Sequence, residues 1–145
     1  MAKEIENKYI CKYLPSYVKD PILIQQAYIH VDKEKQVRIR IQEGKAILCV
    51  KLNNVWYRDE YEAELPIAEG MDLFSKCQYK VEKLRWSFDV NGVHYDIDKF
   101  QDGTLIAELE RKDLETKTWI PDFVGECVDG IWEYTNYYYA GIPKS

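Results

Sequence analysis

The chain has 145 residues, enough for one domain with a real core spanning 1–145. Its 46% hydrophobic and 31% charged residues are not a disordered composition, and a net charge of −5 argues against a general nucleic-acid binder, whose surface is basic. Cys11, Cys49, Cys77 and Cys127 are scattered, with no CxxC pair and no histidine near them in sequence, which argues against a zinc site and for reduced thiols. No long apolar run opens the chain, so the expectation is a cytoplasmic protein without signal peptide or membrane span.

Period-two alternation dominates the pattern, and 12 tyrosines add to the strand tendency. The first strand holds EIENK, which puts Glu4, Glu6 and Lys8 on one face, because successive strand side chains alternate sides. After turn signals at Pro15 and Pro21, LIQQAYIHV (23–31) reads as a strand. VRIRIQ (37–42) sets Arg38 and Arg40 against Val37, Ile39 and Ile41. The EGK turn at 43–45 joins it to AILCVKL (46–52) as a hairpin, with Cys49 and Lys51 on one face.

RDEYEAELP (58–66) aligns Arg58, Glu60, Glu62 and Glu64 and ends at Pro66, after which AEGMDLFSKC (68–77) reads as a short helix. YKVEKLRWSFDV (79–90) places Lys83 and Arg85 opposite Leu84, Trp86 and Phe88. Asn91–Gly92 is a strong hairpin turn into VHYDIDKF (93–100), and TLIAELERK (104–112) carries Glu108 and Glu110 on a common face. WEYTNYYYA (132–140) reads as a terminal helix. The expected fold is all-β with a few short helices: eight antiparallel strands closed into a barrel.

A solvated sheet face explains any one of these charged alternations. The recurrence on strand after strand calls for more, because the opposite faces, with Ile5, Val37, Ile39, Val50, Tyr61, Leu84, Trp86, Ile97 and Leu109, are predominantly apolar. If the charged faces line the barrel interior, their burial costs heavily unless they bind something of matching charge. The bases Lys8, Arg38, Arg40, Lys51, Lys83 and Arg85 suit a polyanion, and arginine forks suit phosphate oxygens. The acids Glu4, Glu6, Glu60, Glu62, Asp98, Glu108 and Glu110 suit a hard divalent cation. A polyphosphate with bound metal satisfies both sets. No GxxxxGK[ST] loop is present, which excludes a P-loop enzyme.

With these residues in place, the chain resembles the CYTH family, the triphosphate tunnel metalloenzymes, and within it a short bacterial-type inorganic tripolyphosphatase. EIENK matches the ExExK signature. RIR at 38–40, Lys51, EYE at 60–62, KLR at 83–85, YDID at 95–98 and ELE at 108–110 fall in the family's order. PDFVGECV and YTNYYYA look like its closing elements. Departures are the LNN after Lys51, Trp86 after the KxR, and a loose match of QQAYI at 25–29; none removes a charged group.

The resemblance implies an eight-stranded tunnel and divalent-metal-dependent hydrolysis of inorganic tripolyphosphate to pyrophosphate and phosphate. By resemblance Lys8, Arg38, Arg40, Lys51, Lys83 and Arg85 contact phosphate, with Lys8, Lys51 and Arg85 catalytic. Glu4, Glu6, Glu60, Glu62, Asp98, Glu108 and Glu110 hold Mg²⁺ or Mn²⁺. The short chain favours hydrolysis over adenylate cyclisation or thiamine or nucleoside triphosphate hydrolysis, each of which adds a pocket for the organic group. A non-catalytic polyphosphate-binding module would not need the full acid set, and a merely structural β-sandwich would not repeat these faces. The expected partner is a small polyanion, with no nucleic acid and no membrane, and the apolar outer faces point to a homodimer. His30 and His94 are read as surface or packing residues, and Tyr137–Tyr139 as packing or as a plug at one tunnel end.

Overall fold

A computed structural model of the chain describes residues 2–4, 6–53, 58–110 and 120–144, with the side chains of residues 2–4 outside that description. In chain order the elements are β1 (Ala2–Glu4), β2 (Glu6–Cys11), β3 (Ile22–Val31), β4 (Lys35–Gln42), β5 (Lys45–Asn53), β6 (Arg58–Leu65), α1 (Ile67–Lys76), β7 (Tyr79–Val90), β8 (Val93–Lys99), β9 (Leu105–Glu110), β10 (Val124–Cys127), a single 3₁₀ turn (Trp132–Tyr134) and α2 (Asn136–Ala140). All strands join one antiparallel sheet in the order β1-β6-β5-β4-β3-β7-β8-β9-β2-β10. The tight turns follow from local chemistry: Asn91–Gly92 and Glu43–Gly44 both take positive φ (51° and 76°; 50° and 73°), the mirror-image turn that matches strand twist.

The eight-stranded closed barrel is corrected in two respects. Among the described residues the sheet has ten strands, and its ladder is open, with β1 and β10 as edges. The first strand expected from sequence divides its pairing: Glu4 lies opposite Arg58 on β6, whereas Glu6 lies opposite Glu110 on β9. β6 and β9 are six steps apart in the strand order, about 29 Å if the sheet were flat. Yet positions 4 and 6 are at most about 7 Å apart along the chain, which holds Arg58 and Glu110 within about 18 Å. The sheet must therefore curl strongly, with the N-terminal segment drawn across the approach of its two ends.

The curl gives the sheet a convex apolar face and a concave polar one. On the convex side, α1 packs over Ala27, Ile39 and Ala46 through Leu73 and Phe74. Gly70 permits that approach, because a Cβ there would collide with Ala46 Cβ. A second cluster, Tyr95, Ile97, Ala107 and Leu109, is covered by Phe123 and Val124 at the start of β10. The expected terminal helix is two pieces: Thr135 (φ −108°, ψ 156°) interrupts it, and its side-chain oxygen accepts the Tyr138 N–H to cap α2. α2 packs on the concave face, where Ala140 joins Tyr28, Val81, Phe100 and Ile106. No helix among the described residues is long and apolar enough to cross a membrane.

Candidate active site

Strand register decides which side chains meet. Gln36, Arg38 and Arg40 on β4 lie opposite Lys51, Cys49 and Ile47 on β5, and these in turn lie opposite Glu60, Glu62 and Glu64 on β6. On the other wall Arg85 on β7 faces Asp98 on β8, Asp96 faces Glu108 on β9, and Glu108 faces Lys8 on β2. Directly opposed residues share a face, so Glu6, Lys8, Arg38, Arg40, Lys51, Glu60, Glu62, Lys83, Arg85, Asp98, Glu108 and Glu110 all occupy the concave side. Glu4 holds the register position opposite Arg58, and its side chain lies outside the described residues.

The centre of this face is a buried charge network. Asp98, whose side chain is 1% exposed, receives Arg85 Nε at 2.7 Å and Nη2 at 2.8 Å, and Lys83 Nζ stands 2.7 Å from its Oδ2. Burial opposes the charge on Asp98, but Lys83 and Arg85 outweigh it and hold the carboxyl below its ordinary value. Burial lowers Lys83 to about 8 despite Asp98. For Arg85, burial is outweighed by Asp98, and the guanidinium is raised well above its ordinary value. Lys83 also donates to Asn136 Oδ1 at 2.9 Å, and its ammonium lies 5.5 Å from the Phe100 ring centre, so α2 meets the charged network at this residue.

Around that centre the acids gather in pairs. Glu62 is held below its ordinary value first by a hydrogen bond with Glu60, and Glu108, despite burial, well below its own by Lys8, Arg85 and a hydrogen bond with Glu6. Lys51 lies 3.5 Å from Glu60, Arg40 3.5 Å from Glu62, and Lys8 4.0 Å from Glu108. Ligand atoms of Cys49, Glu60 and Glu62 lie within 4.8 Å of one another. Two carboxylates in contact repel unless they share a proton or a cation, and oxygen donors suit a hard divalent ion. The donor chemistry therefore fits such a metal. Burial raises the Cys49 thiol, which keeps it protonated near neutrality.

A protein named inorganic triphosphatase from Acetivibrio thermocellus is 36% identical over 144 residues, covering 94% of this chain and 92% of that protein. The chain belongs to the inorganic triphosphatase family. The crystal structure of the inorganic triphosphatase NE1496 superposes on this family member with a TM-score of 0.71 at 22% identity, over 99% of this chain and 97% of that one. A putative adenylate cyclase from Vibrio parahaemolyticus shares the fold more distantly, with a TM-score of 0.59 at 14% identity over 77% and 78% of the two chains. No protein-family profile matches.

In this family member several concave-face residues escape the sequence reading. Asp96 accepts the Ser87 hydroxyl at 2.6 Å and stands 3.6 Å from Arg85 Nη1. Its signal was available, since Asp96 alternates with Asp98 in YDID. His94 bridges Asp89 at 2.9 Å and Asp96 at 3.1 Å at the margin of the site; burial would lower it, but the carboxylates raise it. His30 pairs with Asp32 at 2.8 Å on the surface. Asn136 carried no periodic signal, because its approach to Lys83 depends on where α2 docks. Tyr137 on α2 lies against Tyr28, ring centres 5.3 Å apart, and stacks on Trp132 at 5.5 Å.

Proposed function

We infer that the chain hydrolyses inorganic tripolyphosphate to pyrophosphate and phosphate on the concave face of its curled sheet. The observation that carries this reading is the convergence there of arginine forks and contacting carboxylate pairs, in a chain belonging to the inorganic triphosphatase family. Phosphoryl transfer asks for in-line positioning and stabilisation of developing charge, and little covalent chemistry from the protein. Arg38, Arg40, Lys51, Lys83, Arg85 and Lys8 bind the phosphate chain in this reading. Asp98 takes Nε and Nη2 of Arg85, which fixes the plane of the guanidinium, and Nη1, 3.6 Å from Asp96, is in this reading shared between Asp96 and substrate. Asp98 thus acts as an anchor for Arg85 and Lys83, whereas the Glu60–Glu62 and Glu6–Glu108 pairs, with Glu4 and Glu110, are the residues that would hold Mg²⁺ or Mn²⁺. A divalent cation bound there supplies charge neutralisation to the phosphates and acidity to a water.

Packing supports an inorganic substrate. One end of the concave face is apolar and is filled by α2 against Tyr28, Val81, Phe100 and Ile106, which leaves no room there for an organic group. The same proposal places the enzyme in the cytoplasm, without nucleic-acid partners, and assigns exposed Leu52, Tyr61 and Leu84 on the convex face to contact with a second copy. Phosphate release from tripolyphosphate, ATP and thiamine triphosphate, each with and without Mg²⁺ or Mn²⁺, tests the reading. Tripolyphosphate should have much the highest kcat/KM, and only with metal. Equal rates on ATP, or formation of cyclic AMP, would overturn it.

A further inference from the structure

Among the described residues the concave face holds two buried neutral polar side chains that the charge network does not use, Gln26 and Gln36, and Gln26 is the deeper. Gln26 on β3 is 1% exposed. It sits between the two basic strands, directly opposite Arg40 on β4 and Val81 on β7. Arg38 and Lys83 are its diagonal neighbours, through their registers with Tyr28 and Ile24. Its amide Nε2 is buried without a hydrogen-bond partner among the described residues, and so is Nε of Arg40, the residue opposite it. Two orphaned N–H donors therefore share one face of adjacent strands.

A buried donor without an acceptor costs stability, and the cost is recovered only when an acceptor arrives. Everything charged beside these donors on β4 and β7 is cationic, so the acceptor they suit is an anion oxygen. We propose that Gln26 is a substrate-binding residue that donates its amide N–H, together with Arg40 Nε–H, to a phosphate oxygen of tripolyphosphate. The assignment rests on the proposed function and adds a neutral donor to its six cations. An amide supplies direction without charge: it fixes one oxygen without adding to the repulsion among Arg38, Arg40 and Arg85 that already, after burial, lowers Arg40.

The test uses Gln26→Met, which keeps side-chain volume and removes both donors, and Gln26→Glu, which keeps shape but presents a carboxylate to the phosphates. Readouts are KM and kcat for tripolyphosphate, its Kd by calorimetry without divalent metal, and Tm. Gln26→Met should raise KM and Kd about tenfold, with kcat within about twofold. Its Tm should be unchanged or higher, because an unsatisfied buried amide has been removed, whereas a structural glutamine would give a lower Tm. Gln26→Glu should weaken binding further. Unchanged KM and Kd in both variants, or a lower Tm with KM unaltered, would overturn the assignment. If the unsubstituted chain binds tripolyphosphate without turning it over, the activity reading falls while the Kd comparison still decides Gln26.

Discussion

Replacing Asp98 by Asn removes a carboxylate that both Lys83 and Arg85 touch, at 2.7 Å each, in a site where Asp98 and Lys83 side chains are 1% exposed. The amide keeps the shape and can still accept one hydrogen bond, but Lys83 and Arg85 lose the charge between them, and Asp96, 3.6 Å from Arg85 Nη1, does not reach both. Removing one partner of a buried pair costs about 3–5 kcal/mol, and at about 3 °C per kcal/mol for a domain of this size Tm should drop by roughly 9–15 °C. Calorimetric melting measures this directly. Tripolyphosphate restores negative charge to the same place, so the rise in Tm on adding it, without divalent metal, should be larger for Asp98→Asn than for the unsubstituted chain. Melting within about 2 °C of the unsubstituted chain would refute the argument, since it would mean that water or nearby acids already balance Lys83 and Arg85.

Lys83, lowered to about 8, should lose its proton as pH rises through that value, so kcat/KM should fall on an alkaline limb near pH 8. Lys83→Arg should remove that limb from the pH–rate profile. The stability effect has the opposite sign. The folded chain holds this proton more weakly than the unfolded one, so its destabilising contribution is full below about 8 and disappears as pH rises toward the ordinary value of 10.5, as pH-dependent melts would show. Glu6→Gln should cut metal-supported turnover by a factor on the order of 10² while leaving metal-free tripolyphosphate binding intact or tighter; full activity with Mg²⁺ would mean that EIENK faces water.

Period two is local, so the sequence alone determines faces. It identifies RIR, KLR, EYE and ELE as charged on one side and apolar on the other, and the Asn91–Gly92 and Glu43–Gly44 turns set antiparallel neighbours without reference to the rest of the chain. What alternation cannot carry is curvature and closure, because these depend on contacts between residues far apart in sequence. The split of the first strand between β6 and β9 is such a contact: EIENK shows that Glu4 and Glu6 share a direction, but only tertiary pairing sets position 4 opposite Arg58 on β6 and Glu6 opposite Glu110 on β9. The open ladder likewise depends on where β1 and β10 stop pairing. Asp98 shows the same division at one residue. Its place on the charged face is legible in YDID, yet its anchoring of Lys83 and Arg85 requires β7 and β8 in register, and its burial requires a folded concave face. α2 reaches Lys83 through Asn136 from 53 positions away, a distance in sequence over which no local pattern persists.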